Sequence, residues 1–140
     1  MEISGQPLVG QVALITGGGR GLGREIAMAF ARAGADVALT ARTAEEIQET
    51  GDEVKSLGRR ALAVVADVTE EDSVRAMVGQ TLNAFDQVDI LVNNAGMSVY
   101  GPFVEQNPSD WRTIINTNLM GTLYCAHAVL PSMLERGEGL

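Results

Sequence analysis

Little in this chain could hold a metal, form a disulfide or carry positive charge. It has one cysteine, Cys125, and one histidine, His127, both in an apolar stretch. A lone cysteine excludes an internal disulfide and fits a reducing compartment. No residue cluster has zinc-ligand spacing, and His127 is expected to pack within a helix, so no metal site is expected. Lysine and arginine number 10 against 18 acidic residues, for a net charge of −8. That balance excludes nucleic acid and anionic membranes as partners, since both require clustered positive charge. No apolar run approaches the ~18 residues of a membrane span, and the start of the chain, with Glu2, lacks the basic flank and apolar core of a signal peptide. A cytoplasmic protein is the expectation. The only lysine is Lys55, and neither Tyr100 nor Tyr124 has a lysine four positions later.

What is present fits one globular domain of 140 residues, 46% hydrophobic and 20% charged. Residues 1–10 are polar and glycine-rich and are expected to form a flexible lead-in. Short apolar runs at Val12–Thr16, Asp36–Ala41, Ala61–Ala66 and Val88–Val92 read as buried strands. Helices are expected between them. Leu22–Ala33 carries apolar residues at 22, 26, 27, 30 and 33 and stops at Gly34. Thr43 with Glu46 reads as a capping box opening a helix to Leu57. Thr69 with Asp72 is expected to cap another in a similar way, reaching Phe85. A fourth helix starts after Asn107-Pro108, with proline at its first position, and is expected to run to Arg136. The alternation predicts an α/β fold, a parallel sheet with helices on both faces. The tail Gly137-Glu138-Gly139-Leu140 looks like a turn leading toward a fifth strand.

The strand-to-helix turn Thr16-Gly17-Gly18-Gly19-Arg20-Gly21-Leu22-Gly23 fits G-x-G-x-x-G in no register; it fits T-G-x-x-x-G-x-G. The physical need is common to both patterns. Glycine accepts positive φ and lets backbone N–H groups approach a pyrophosphate, with the helix dipole adding to the attraction. The end of the second strand reads on the choice of cofactor. An acidic residue there would accept from a ribose 2′-hydroxyl, but the strand ends in Ala41, and Asp36 lies at its other end. Arg42 and Arg20 could clamp a 2′-phosphate with paired donors. Asp67 and Val68 follow the third strand, where Asp67 could accept from an adenine amino group or serve only as a turn residue. Asn93-Asn94-Ala95-Gly96 follows the fourth, where asparagine tolerates unusual backbone angles and Ala95 and Gly96 leave room for a ribose.

With these residues in place, the chain resembles the short-chain dehydrogenase/reductase family over Leu8–Gly139. The resemblance rests on the glycine turn at 16–23, Asp67-Val68, Asn93–Gly96, and Trp111 followed by Asn118-Leu119. It implies a Rossmann-type doubly wound parallel sheet, here broken off after the fourth strand and its helix, with 11–140 as an incomplete NAD(P)-binding domain. It implies hydride transfer between nicotinamide and a small-molecule carbonyl or alcohol, with NADP(H) favoured over NAD(H). Cofactor contacts are implied for Gly17, Gly18, Gly19, Arg20, Gly21, Leu22, Gly23, Arg42, Asp67, Val68, Asn94 and Ala95. Asn118 takes the role of the helix asparagine that helps hold a water in the proton relay, with Asn116 as competitor. The family's serine and Tyr-x-x-x-Lys pair are absent, so the chain by itself is expected to be inactive. A non-catalytic NADP-binding module or regulatory subunit is the alternative. A bare edge at Val88–Val92 and the apolar fourth helix lead to the expectation of a homo-oligomer.

Overall fold

The computed structural model describes residues 5–140. Strands β1 (Val12–Thr16), β2 (Asp36–Ala41), β3 (Ala61–Val65) and β4 (Ile90–Val92) form one parallel sheet in the order β3-β2-β1-β4. The register places Val12 beside Asp36, Val37 beside Ala61 and Ala13 beside Ile90. Sequential neighbours β1, β2 and β3 step one way, and β4 crosses to the other side of β1. The order of strands reverses there, so a crevice opens at their C-terminal ends. This is the doubly wound, Rossmann-like arrangement expected from the alternation.

Helices α1 (Gly21–Arg32), α2 (Ala44–Ser56), α3 (Glu71–Phe85) and α5 (Gly121–Arg136) cover the sheet, and α4 (Pro108–Ile115), with no buried residue, precedes α5. Strand residues alternate between two cores. Ala13, Ile15, Val37 and Leu39 meet α1 and α2, whereas Val12, Leu14, Ala38 and Val64 meet α3 and α5. Leu14 and Ile15 are fully buried, and truncating either to alanine should cost about 2–5 kcal/mol. The face that α1 buries is Gly23, Ala27, Met28 and Ala31, and Leu22 is left exposed. Small residues at intervals of four line the buried face; of the positions read from the sequence, 27 is buried, 26 and 30 pack at its edge, and Leu22 falls outside.

Several local expectations fail for identifiable reasons. Thr43 is the N-cap of α2 but its side chain makes no cap bond, so the expected capping box is not formed. The N-cap of α3 is Glu70. Thr69 instead turns back, its N–H and hydroxyl both donating to Asp67 Oδ1 at 2.9 and 2.7 Å. The long fourth helix is broken in register by a π-helical turn at Asn116–Met120, and α5 continues through Pro131. His127 is exposed on α5 and not packed.

At the start of the chain, residues 1–4 lie outside the described residues. The rest of the expected lead-in is fastened to the fold: the Leu8 N–H donates to the Ala33 carbonyl at 2.9 Å, and Leu8 packs on the α1-side core. The outer edge of β4 is not bare. The Leu140 N–H donates to the Asp89 carbonyl and the Leu91 N–H to the Leu140 carbonyl, each at 2.9 Å. These two bonds form one rung of a parallel ladder beside β4.

Candidate functional site

A cleft of about 830 Å³ opens at the C-terminal ends of the strands, within the size range of small-ligand sites. Its floor is the glycine turn between β1 and α1. Gly17 and Gly21 have φ of +64° and +54°, values that disfavour any side chain. At Gly21 a Cβ would meet no atom within 4 Å, so the turn presents open backbone to the cleft. The other glycines serve packing. A Cβ on Gly18 would stand 2.7 Å from Leu39 Cδ2, one on Gly19 2.7 Å from Glu46 Cβ, and one on Gly23 2.1 Å from the Gly17 carbonyl oxygen.

The turn is locked from across the sheet. Asn94 Nδ2 donates to the carbonyls of Thr16 and Gly17 at 3.0 and 3.1 Å. Thr16 Oγ1 accepts from the N–H groups of Asn94 and Ala95 at 3.0 and 2.9 Å. The β1 and β4 ends thus become one rigid unit, with Gly17, Asn94 and Ala95 all lining the cleft. On the other flank, the buried Thr50 hydroxyl lies 3.2 Å from the Gly19 carbonyl and 3.1 Å from the Glu46 carbonyl, tying α2 to the same turn.

Arg20 and Arg42 both line the far end of the cleft and are exposed. Among the described residues Arg42 has no ion pair, and Arg20 has only Glu46, at 4.0 Å. Asp67 and Val68 line the same end. Burial would raise the Asp67 carboxyl, but the two Thr69 bonds and the charge of Arg42 outweigh it and hold the carboxyl below its ordinary value. Its Oδ1 is engaged by Thr69, and Oδ2 has no bond among the described residues. Thr40 also lines the cleft, and its buried Oγ1 has no partner among the described residues.

Of the residues expected from the sequence, Gly17, Gly19, Arg20, Gly21, Arg42, Asp67, Val68, Asn94 and Ala95 lie on the cleft wall. Gly18 and Gly23 lie behind it as packing glycines, and Leu22, 70% exposed, is not among the lining residues. Asn118 is also off the wall. Its Oδ1 accepts from the Met97 N–H and its Nδ2 donates to the Met97 carbonyl, both at 2.9 Å, so its amide clamps the chain just past the Asn93–Gly96 turn. The Asn118 carbonyl accepts from Thr122 Oγ1 at 2.8 Å. The opposite wall is formed by α4 and the π turn, through Arg112, Thr113, Ile115, Asn116, Thr117 and Met120; of these only Asn116, the competitor to Asn118, is expected from the sequence. Spacings of one, three and four residues on a helix beside a glycine turn were the available signal.

Glycine backbone open to the cleft, a helix N-terminus behind it, and at one end the Arg42 guanidinium, the Arg20 guanidinium with its single long contact to Glu46, and the Asp67 carboxylate suit a phosphate-bearing, adenosine-like ligand. Among the described residues no group of three or more metal-ligating side chains occurs, and no helix is long and apolar enough to cross a membrane.

A family model described as short chain dehydrogenase matches residues 11–140. The chain is 43% identical over 129 residues to (2S)-[(R)-hydroxy(phenyl)methyl]succinyl-CoA dehydrogenase subunit BbsD of Thauera aromatica, covering 92% of this chain and 52% of that protein. Among solved structures, a metagenomic short-chain oxidoreductase in complex with NADP superposes with a TM-score of 0.89 at 34% identity, over 95% of this chain and 61% of that one. An NAD+-bound xylitol dehydrogenase gives 0.91 at 28% identity, over 94% and 51%. The chain spans about half the length of the curated relatives it matches.

Proposed function

This chain belongs to the short-chain dehydrogenase family, and from that premise we propose that residues 11–140 form an NAD(P)-binding unit that takes NADP(H) in preference to NAD(H). It serves hydride transfer to or from a small-molecule carbonyl or alcohol. The observation that carries the cofactor reading is the pair Arg20 and Arg42 beside a strand that ends in neutral Ala41. A 2′-phosphate gains charge-assisted bonds from such a pair, whereas a 2′-hydroxyl finds no carboxylate at the strand end. The solved relatives carry NADP in one case and NAD+ in another, so the choice rests on these residues.

The residues divide the work along the cleft. The open backbone at Gly17 to Gly21 and the start of α1 receive a pyrophosphate. Asp67 Oδ2 is placed to accept from an adenine amino group. The Ala95-Gly96 backbone leaves space for the second ribose. When bound, reduced nicotinamide supplies a hydride to a carbonyl carbon while the oxygen takes a proton, leaving an alcohol and oxidised nicotinamide. Asn118 is a positioning residue on this reading: its clamp on Met97 fixes the π turn against the ribose-bearing loop, and so sets the place where the family's relay water is held. Neither Tyr100 nor Tyr124 has a lysine one turn on, so the 140-residue chain is expected to bind cofactor without turnover.

Leu119 in the π turn and Leu123, Leu130 and Leu134 on α5 expose apolar side chains at helical spacing. A stripe of this kind supports self-association in the cytoplasm. Light scattering coupled to size exclusion tests it, with a concentration-independent monomer as the contrary result. The cofactor reading is tested by calorimetric titration of NADP+ and NAD+, and stronger or equal binding of NAD+ would overturn it.

A further inference from the structure

The carboxylate of Glu46 stands where a site for a dianionic phosphate should be purely basic. It lies on the first turn of α2, lines the same cleft as Arg20 and Arg42, and is the only acidic group within ion-pairing reach of Arg20, at 4.0 Å among the described residues. Its place is fixed. The Glu46 Cβ abuts Gly19 so closely that a methyl group there would stand 2.7 Å away, and its carbonyl shares the Thr50 hydroxyl with Gly19. The helix cap that the sequence pattern would give it is not made, because Thr43 forms no side-chain cap bond. The Glu46 carboxylate is therefore left to Arg20.

We propose that Glu46 is a specificity-determining residue of the 2′ pocket: it holds the Arg20 guanidinium and competes with a 2′-phosphate for it. This rests on the reading of Arg20 and Arg42 as the 2′-phosphate clamp. A ligand carrying the phosphate must draw Arg20 away from Glu46 and then sit near a like charge. A ligand with a free 2′-hydroxyl does neither. Glu46 thus narrows the margin between NADP(H) and NAD(H) instead of widening it. Replacing it with glutamine removes the competing charge while keeping the stem that packs on Gly19.

The test uses two probes that differ only in the phosphate, 2′,5′-ADP and 5′-AMP, titrated by calorimetry into wild type, Glu46→Gln, Arg20→Ala and the double variant. Circular dichroism confirms that each is folded. The expected result is that Glu46→Gln tightens 2′,5′-ADP by about two- to fivefold, the range of an exposed charge pair, with no gain for 5′-AMP. In the Arg20→Ala background the same change should bring a smaller gain, since only the like-charge repulsion is left to remove. An unchanged ratio of the two affinities in Glu46→Gln, a gain for both probes alike, or a full gain without Arg20 would each overturn the proposal. Arg42→Ala reports separately on the underlying reading: if it leaves 2′,5′-ADP binding intact, the clamp itself is wrong, whatever Glu46 does.

Discussion

At the N-terminal ends of the strands, arginines are bound to carboxylates. Arg59 and Arg60 both hold Asp36, at 3.0 and 2.7 Å, and Arg136 holds Asp89 at 2.8 Å while also donating to the Val88 carbonyl. Asp89 Oδ2 accepts from the Val12 N–H and Gln87, and Arg60 lies 4.7 Å over the Phe85 ring. At the C-terminal ends, Arg42 has no ion pair among the described residues and Arg20 has one long contact. The same residue type thus does two jobs. A guanidinium already satisfied joins secondary elements, and one left unpaired beside open glycine backbone is available to a ligand. Substitutions at the lower end should therefore cost stability and spare binding, and those at the upper end should do the reverse.

The sharpest break in that symmetry is Gly21→Val. Its φ of +54° and the empty space in front of it predict loss of nucleotide binding by at least about 100-fold, with strain of only about 1–3 kcal/mol in the fold. Circular dichroism and a titration with NADP+ check both halves. Retained binding would mean that the turn is not the phosphate site. Asp36→Ala, at the other end, should destabilise by about 2–4 kcal/mol by leaving two arginines without their partner, a range that allows for the exposure of Arg60. Denaturant unfolding measures it, and the affinity of the folded fraction should not change.

Smaller effects sharpen the division further. Asn118→Ala removes both bonds to the Met97 backbone and should cost about 1–2 kcal/mol, together with raised hydrogen exchange confined to the loop after β4. Uniform exchange would refute the clamp. The pH dependence has a definite sign. Asp36 is held below its ordinary value: burial raises it, but bonds from Arg60 and Arg59 outweigh that. Asp67 is also held low, by Thr69 and Arg42. A depressed carboxyl contributes stability above its unfolded pKa and loses it as pH falls through the folded one. Stability should thus fall below about pH 4, and Asp36→Asn should flatten that fall. A loss beginning near neutral pH would contradict the assignment.

The sheet was legible because its signal is local. Val12–Thr16 and Asp36–Ala41 are apolar runs between turn residues, and their ends agree with the strands. The wall formed by the glycine turn and Asn94 was legible for a related reason: the backbone geometry needs glycine and asparagine at fixed spacings. Thr69 misled because a local bond competes with the cap: Asp67, two residues earlier, takes its N–H and hydroxyl. The π turn at Asn116–Met120 leaves no compositional mark; it coincides with the Asn118 clamp to a loop 21 residues away. Of the second wall, Asn116 was in view as the competitor to Asn118, whereas Arg112 could be recognised only once α4 was placed beside the cleft. Glu46 was read as a cap because its neighbour in space, Arg20, lies on a different element.

The measurement that bears most directly on the unpaired-arginine account is calorimetric titration of NADP+ and NAD+ into the wild-type chain and Arg42→Ala. A charge-assisted bond contributes roughly 1.5–3 kcal/mol. The account predicts that wild type binds NADP+ about tenfold or more tightly than NAD+, and that Arg42→Ala removes most of that margin by weakening NADP+ alone. Equal affinities in the wild type, or a margin that survives Arg42→Ala, would contradict it.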